Sequence, residues 1–133
     1  MNILFYVFLI IHIFFGVEEL DLNKLKWENR IICIESSDLS LLSQQLNEFE
    51  HKAAELKDRK LLIFVKNKGR FYEWPKKKYL DVIHNFPKTK NRDFQITLIG
   101  LDGGQKLQAF LPVKSIDIFN LIDSMPMRIS EKN

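Results

Sequence analysis

Two short apolar runs, "IICI" at 31–34 and "KLLIFVK" at 60–66, flank a stretch of helical periodicity, and this constrains the fold most. Neither run alternates with polar residues, and both are rich in β-branched and large aliphatic side chains. Strands of that kind are covered on both faces, as in a parallel sheet. Between them Leu39, Leu42, Leu46, Phe49, Ala53 and Leu56 recur at spacings of three and four, which predicts one amphipathic helix over 39–57. Ser36, Ser37 and Asp38 stand where its N-cap belongs. Strand, helix and strand joined by short connections make a right-handed βαβ unit with parallel strands.

The second half changes pattern. "NKGRFYEWPKKK", 67–78, reads as an irregular excursion, and Tyr79, Leu80, Ile83 and Phe86 predict a short helix stopped by Pro87. "DFQITLIG", 93–100, alternates as a strand should, "LDGG" is a hairpin turn, and "QKLQAFL" is the return strand. Ser115 can cap a last helix to about Met125, with Ile118, Phe119, Ile122 and Met125 facing inward and Pro126 ending it. Trp27, in the entry segment before the first run, is placed on the core edge. The predicted order β-α-β-α-β-β-α corresponds to an α/β, thioredoxin-like fold. It has a four-stranded mixed sheet with helices on both faces.

The chain has 133 residues, 46% hydrophobic and 28% charged, which suits one globular domain with a single core. Residues 3–15, "ILFYVFLIIHIFF", are apolar except for His12. At helical rise they span about 20 Å, less than the roughly 30 Å of a bilayer's hydrocarbon. Residues 1–17 are therefore expected to be a signal peptide or a short N-terminal anchor, and 18–133 the domain, exported to the periplasm, the medium or the envelope. Net charge is +3, but residues 66–92 carry nine Lys or Arg against Glu73 and Asp81. That segment is either a solvated face or a patch for an anionic ligand or envelope component. Nucleic acid is not the expected partner, although Phe71, Tyr72 and Trp74 interleave with its basic residues.

Cys33 is the only cysteine, so no internal disulfide can form. In a thioredoxin-like fold a reactive thiol sits where the first core strand meets the first long helix, because helix amides stabilise a thiolate. Here that place reads "ESSDLS", and Cys33 lies earlier, inside the apolar run. It is expected to be buried packing. There is no CxxC, and Arg92 and Asp93 occupy the place of the cis-proline that thiol-exchange proteins carry before the third strand. His51 and His84 stand apart, so neither a metal cluster nor a Ser-His pair is indicated, and no cofactor is implied.

"ITLIGLDGGQKLQ", 96–108, and "LIDSMPMRISE", 121–131, resemble the paired signatures of the P-DUDES domain, with "LKWENRIICI" and "LKDRKLLIFV" similar to its first two strands. The resemblance covers roughly 20–131. It implies a peroxiredoxin-like, thioredoxin-fold domain of unknown function, found in small bacterial exported proteins. Leu101 and Ile129 stand where it would place basic residues.

These readings lead to a non-catalytic binding or interaction module of the cell envelope. The alternative is a peroxiredoxin-like thiol oxidoreductase. Candidate ligand-binding residues are Ser36, Ser37, Asp38, Arg92 and Arg128. Helix amides, two hydroxyls and the Arg92 guanidinium could hold a small anion. The competing reading is a plain capped helix at Asp38, with Arg128 tied to a carboxylate or carbonyl.

Overall fold

The computed structural model describes residues 17–133. The expected leader lies outside the described residues but for Val17, and among them no helix is long and apolar enough to cross a membrane. The predicted βαβ unit is present. Strand β1 (Glu19–Asp21) and a 3-10 turn (Leu22–Leu25) lead into β2 (Arg30–Ser36). Helices α1 (Leu39–Asn47) and α2 (Ala53–Asp58) then return the chain to β3 (Leu61–Asn67), parallel to β2 with Cys33 opposite Phe64.

The sheet has six strands, not four. After β3 come β4 (Arg70–Trp74), β5 (Lys78–Leu80), β6 (Val82–His84), β7 (Phe94–Ile99) and β8 (Gln105–Ala109). The spatial order is β5-β4-β3-β2-β7-β8, with β1 and β6 forming a separate parallel pair. The predicted irregular excursion is a hairpin. Asn67 pairs with Arg70, and the two residues between them, Lys68 (φ 49°) and Gly69 (φ 76°), are both left-handed. That geometry matches the twist of the flanking strands and needs a glycine, which Lys-Gly signals less openly than Asn-Gly.

The predicted helix around Tyr79–Phe86 is absent. Phe71 pairs with Leu80 across β4 and β5, and Leu20 with Ile83 across β1 and β6. Four apolar residues in so short a segment fit either period, and the open flank of β4 decides for strand.

Helices lie on one face rather than both. Ile32, Ile34, Ile63, Val65, Ile96 and Leu98 meet Phe49 from the α1–α2 break and Leu42, Leu56, Ile118, Phe119 and Ile122 from the helices. Helix α3 (Ser115–Asp123) supplies the last three of these. On the other face Ile31, Cys33 and Phe64 are covered by Leu20, Leu22, Leu25, Leu80, Ile83 and Phe86, all from strands and turns. Burying each such side chain stabilises the fold by about 1.5–3 kcal/mol.

The helix expected over 39–57 is broken. His51 is left-handed (φ 61°), and the Glu48 carboxylate leaves the helix to accept the Ser115 amide at 2.7 Å. The break turns Phe49 fully inward while Leu39 is 62% exposed and Ala53 faces solvent, so the inner row is Leu42, Gln45, Phe49 and Leu56. Gln45 sits in an apolar row because its side-chain amide pairs with the backbone of Val113, accepting from the amide at 2.7 Å and donating to the carbonyl at 2.9 Å.

Two further expectations are corrected. Pro126 does not only end a helix; it opens α4 (Pro126–Lys132), where a missing N–H costs nothing. Trp27 is 61% exposed, held by its amide on the Leu101 carbonyl rather than by the core.

Candidate functional site

The junction of β2 and α1 is closed by its own side chains. Ser36 is buried; its hydroxyl donates to the Asp38 carbonyl at 2.7 Å, with the Asp93 carbonyl a second acceptor at 3.1 Å. The Asp38 amide donates to that hydroxyl oxygen at 3.0 Å. The Asp38 carboxylate accepts the Ser40 and Leu41 amides at 2.9 and 3.1 Å, taking the donors that a foreign anion would need. Ser37 is exposed, and its amide donates to the Asp93 carbonyl at 3.0 Å. The start of β7 therefore does approach this loop, but through its backbone. The Arg92 guanidinium lies instead over the Phe110 ring, 5.0 Å from its centre.

Cys33 is 2% exposed, midway along β2, and burial pushes its thiol well above the ordinary range. Such a group stays protonated at neutral pH.

Part of the basic segment, from Arg70 to Lys78, forms β4, the β4–β5 turn and the start of the edge strand β5. Lys68, Lys76, Lys77 and Lys78 are exposed, where edge lysines also discourage pairing with another sheet. Its aromatics are engaged: Phe71 packs edge-on to Phe86 at 5.4 Å, Tyr72 on Tyr79 at 5.7 Å, and Trp74 on Phe49 at 6.4 Å.

Arg128 lies at the other end of β2, so the five candidate residues do not form one site. It is 2% exposed and tied to three carboxylates. Its Nε donates to Asp123 at 3.1 Å, its Nη2 to Asp58, and its Nη1 to the Asp58 carbonyl at 2.8 Å and to Glu131 at 3.4 Å. Arg59 grips Asp123 with two bonds at 3.0 and 2.8 Å. Arg30, 1% exposed, donates Nη1 to the Arg59 carbonyl at 2.9 Å and to Glu131 at 3.3 Å. The physical origin is the C-terminal end of α2, where carbonyls lack intrahelical partners and favour cations. The Arg128 hydrogen bond holds the Asp58 carboxyl below its usual range, and the Arg59 hydrogen bond does so for Asp123.

Arg30 was missed in the sequence, where an arginine next to an apolar run reads as its solvated end. The available signal was its position as the first residue of a strand covered on both faces. Its Nε and Nη2 have no hydrogen-bond partner among the described residues. Each buried donor left without an acceptor costs roughly 1–3 kcal/mol.

A cavity of about 630 Å³ opens between the α1–α2 break and the end of β4. Phe49, Leu56, Ile63 and Trp74 supply apolar walls, and His51 and Glu73 polar ones. Strand β4 ends at Trp74, opposite Ile63, leaving Leu61 and Leu62 without a strand on that side.

Residues 21–131 match the family model described as "Domain of unknown function (DUF4174)". No curated protein and no solved structure matches the chain.

Proposed function

This chain belongs to the DUF4174 family, and we propose that it serves as a non-catalytic, thioredoxin-like binding module outside the cytoplasm. The observation that carries the reading is the position of the one thiol. Cys33 is sealed inside the sheet, and the helix start that would activate a thiolate is occupied by Asp38 and Ser36. The order β3-β2-β7-β8, with β2 and β3 parallel and β7 antiparallel to β2, supports the thioredoxin-like description. The β4–β6 excursion then stands where a helix was anticipated.

Thiol chemistry tests this directly. Native protein should react with a thiol reagent far more slowly than unfolded protein, and Cys33→Ala should cost on the order of 1 kcal/mol by leaving a small cavity. Peroxide consumption or disulfide exchange lost in Cys33→Ala would replace the binding module with a thiol oxidoreductase.

Export rests on the apolar run at 3–15 and the single cysteine. Mass spectrometry of protein made in a native-like host should find a mature N-terminus between about Val17 and Leu20. A full-length product in the cytoplasmic fraction would overturn it.

A further inference from the structure

The start of β3 and the end of β4 both lie in the wall of the 630 Å³ cavity. The Arg30 amide donates to the Lys60 carbonyl at 2.9 Å, with Arg30 opposite Leu61 in the parallel β2–β3 register. Backbone groups of successive strand residues point to alternate sides, so the Leu61 amide and carbonyl face away from β2, toward the β4 side. Counting on from Ile63 opposite Trp74, the residue due opposite Leu61 is Lys76. The chain has left the ladder by then, because residues 75–77 turn back into β5. Among the described residues, no strand takes up the Leu61 amide and carbonyl on that side. Open main-chain groups among apolar side chains are what an added strand satisfies.

We infer that the groove receives an extended peptide segment that adds to β3 where β4 stops, with one large apolar residue opposite Leu61 and acidic residues beside it. This gives the binding module proposed above a partner class, and it rests on that reading.

A peptide residue in line with β4 would exchange both main-chain hydrogen bonds with Leu61, and its side chain would lie on the same face of the sheet as that of Leu61. Leu61 belongs to the helix-side core with Phe49 and Leu56, against which Trp74 packs, and all four line the cavity. A large apolar side chain suits that face, and the volume is that of a ligand pocket. Residues two positions to either side point the same way, to a rim that holds Lys57, Lys60 and Lys76. Glu50 stands on that rim too, whereas Glu73, next to Trp74 in β4, points to the other face. Lys60 meets Glu131 only at 3.8 Å, and Lys57 and Lys76 have no ion pair among the described residues. Three lysines against one carboxylate favour acidic flanking residues over basic ones.

The test is NMR titration of the full chain with the blocked peptide acetyl-Glu-Val-Phe-Val-Glu-amide. The Leu61 amide should shift downfield, and its exchange with solvent should slow about tenfold or more at saturation. Methylating the phenylalanine nitrogen of the peptide keeps the apolar surface but removes the donor to the Leu61 carbonyl, and should weaken binding about tenfold. Ala53→Trp, at an exposed position on the lining, should obstruct the groove and do the same. Equal binding of the methylated peptide would make the groove an apolar pocket rather than a strand partner, and would overturn the inference. Equal binding of the peptide with lysines in place of its glutamates, or no shift at Leu61, would overturn it as well. So would a Leu61 amide protected without peptide in step with protein concentration, since a second copy of the chain would then cover the strand. Loss of peptide binding leaves the Cys33 labelling result untouched, so the two proposals fail separately.

Discussion

Replacing Arg128 with alanine is expected to destabilise the protein by roughly 3 kcal/mol, measured by urea unfolding at neutral pH. The side chain is 2% exposed and joins α2, α3 and α4 through Asp58, Asp123 and Glu131. Breaking a buried ion pair costs about 3–5 kcal/mol when its partner is left buried and charged. The lower end applies here because the Asp58 side chain is 65% exposed and can rehydrate. Arg128→Lys should recover only part of the loss, since an ammonium cannot reach three carboxylates and a carbonyl in one plane.

The pH profile distinguishes the pair from simple packing. Both Asp58 and Asp123 have carboxyls held low in the folded protein. A depressed carboxyl adds stability that is fully present above its unfolded value near pH 4 and is lost as pH falls through the folded value. The native protein should therefore lose stability on acidification below about pH 4. In Arg128→Ala that acid limb should flatten, because the Asp58 carboxyl no longer has its largest stabilising partner. Equal acid limbs in the two proteins would mean that Arg128 acts by filling space alone.

Phe49→Ala should cost about 3–5 kcal/mol. Phe49 is 1% exposed and packs on Trp74 at the point where α1 breaks from α2. Its removal would merge a void with the 630 Å³ groove it lines. Water entering from the groove limits the penalty, which sets the estimate nearer 3 than 5 kcal/mol. Leu39→Ala makes the matched control. Leu39 belongs to the same apolar stripe in the sequence, yet it is 62% exposed, so its truncation should stay within about 0.5 kcal/mol. Similar losses in both variants would show that the helix runs unbroken, with the stripe intact.

That contrast marks the boundary between sequence and structure in this chain. The βαβ unit, the Gly103 turn between β7 and β8, and the burial of Cys33 follow from local patterns that nothing distant opposes: unbroken apolar runs, a turn that accepts positive φ, and small polar residues at a helix start. Ser36 and Asp38 are legible in the same way, because a capping residue binds amides two or three positions away. By contrast, the edge hairpin, the β1–β6 pair and the helix break depend on partners far along the chain. Leu80 is a strand residue because Phe71 lies beside it, and α1 ends where Glu48 finds the Ser115 amide 67 positions on. The arginine cluster is the extreme case. Arg30 and Glu131 are 101 residues apart, and no periodicity in either segment records that they meet. Local spacing encodes which face of an element is apolar. Only the packed chain decides which charges share a low-dielectric interior, and which donors there go without a partner.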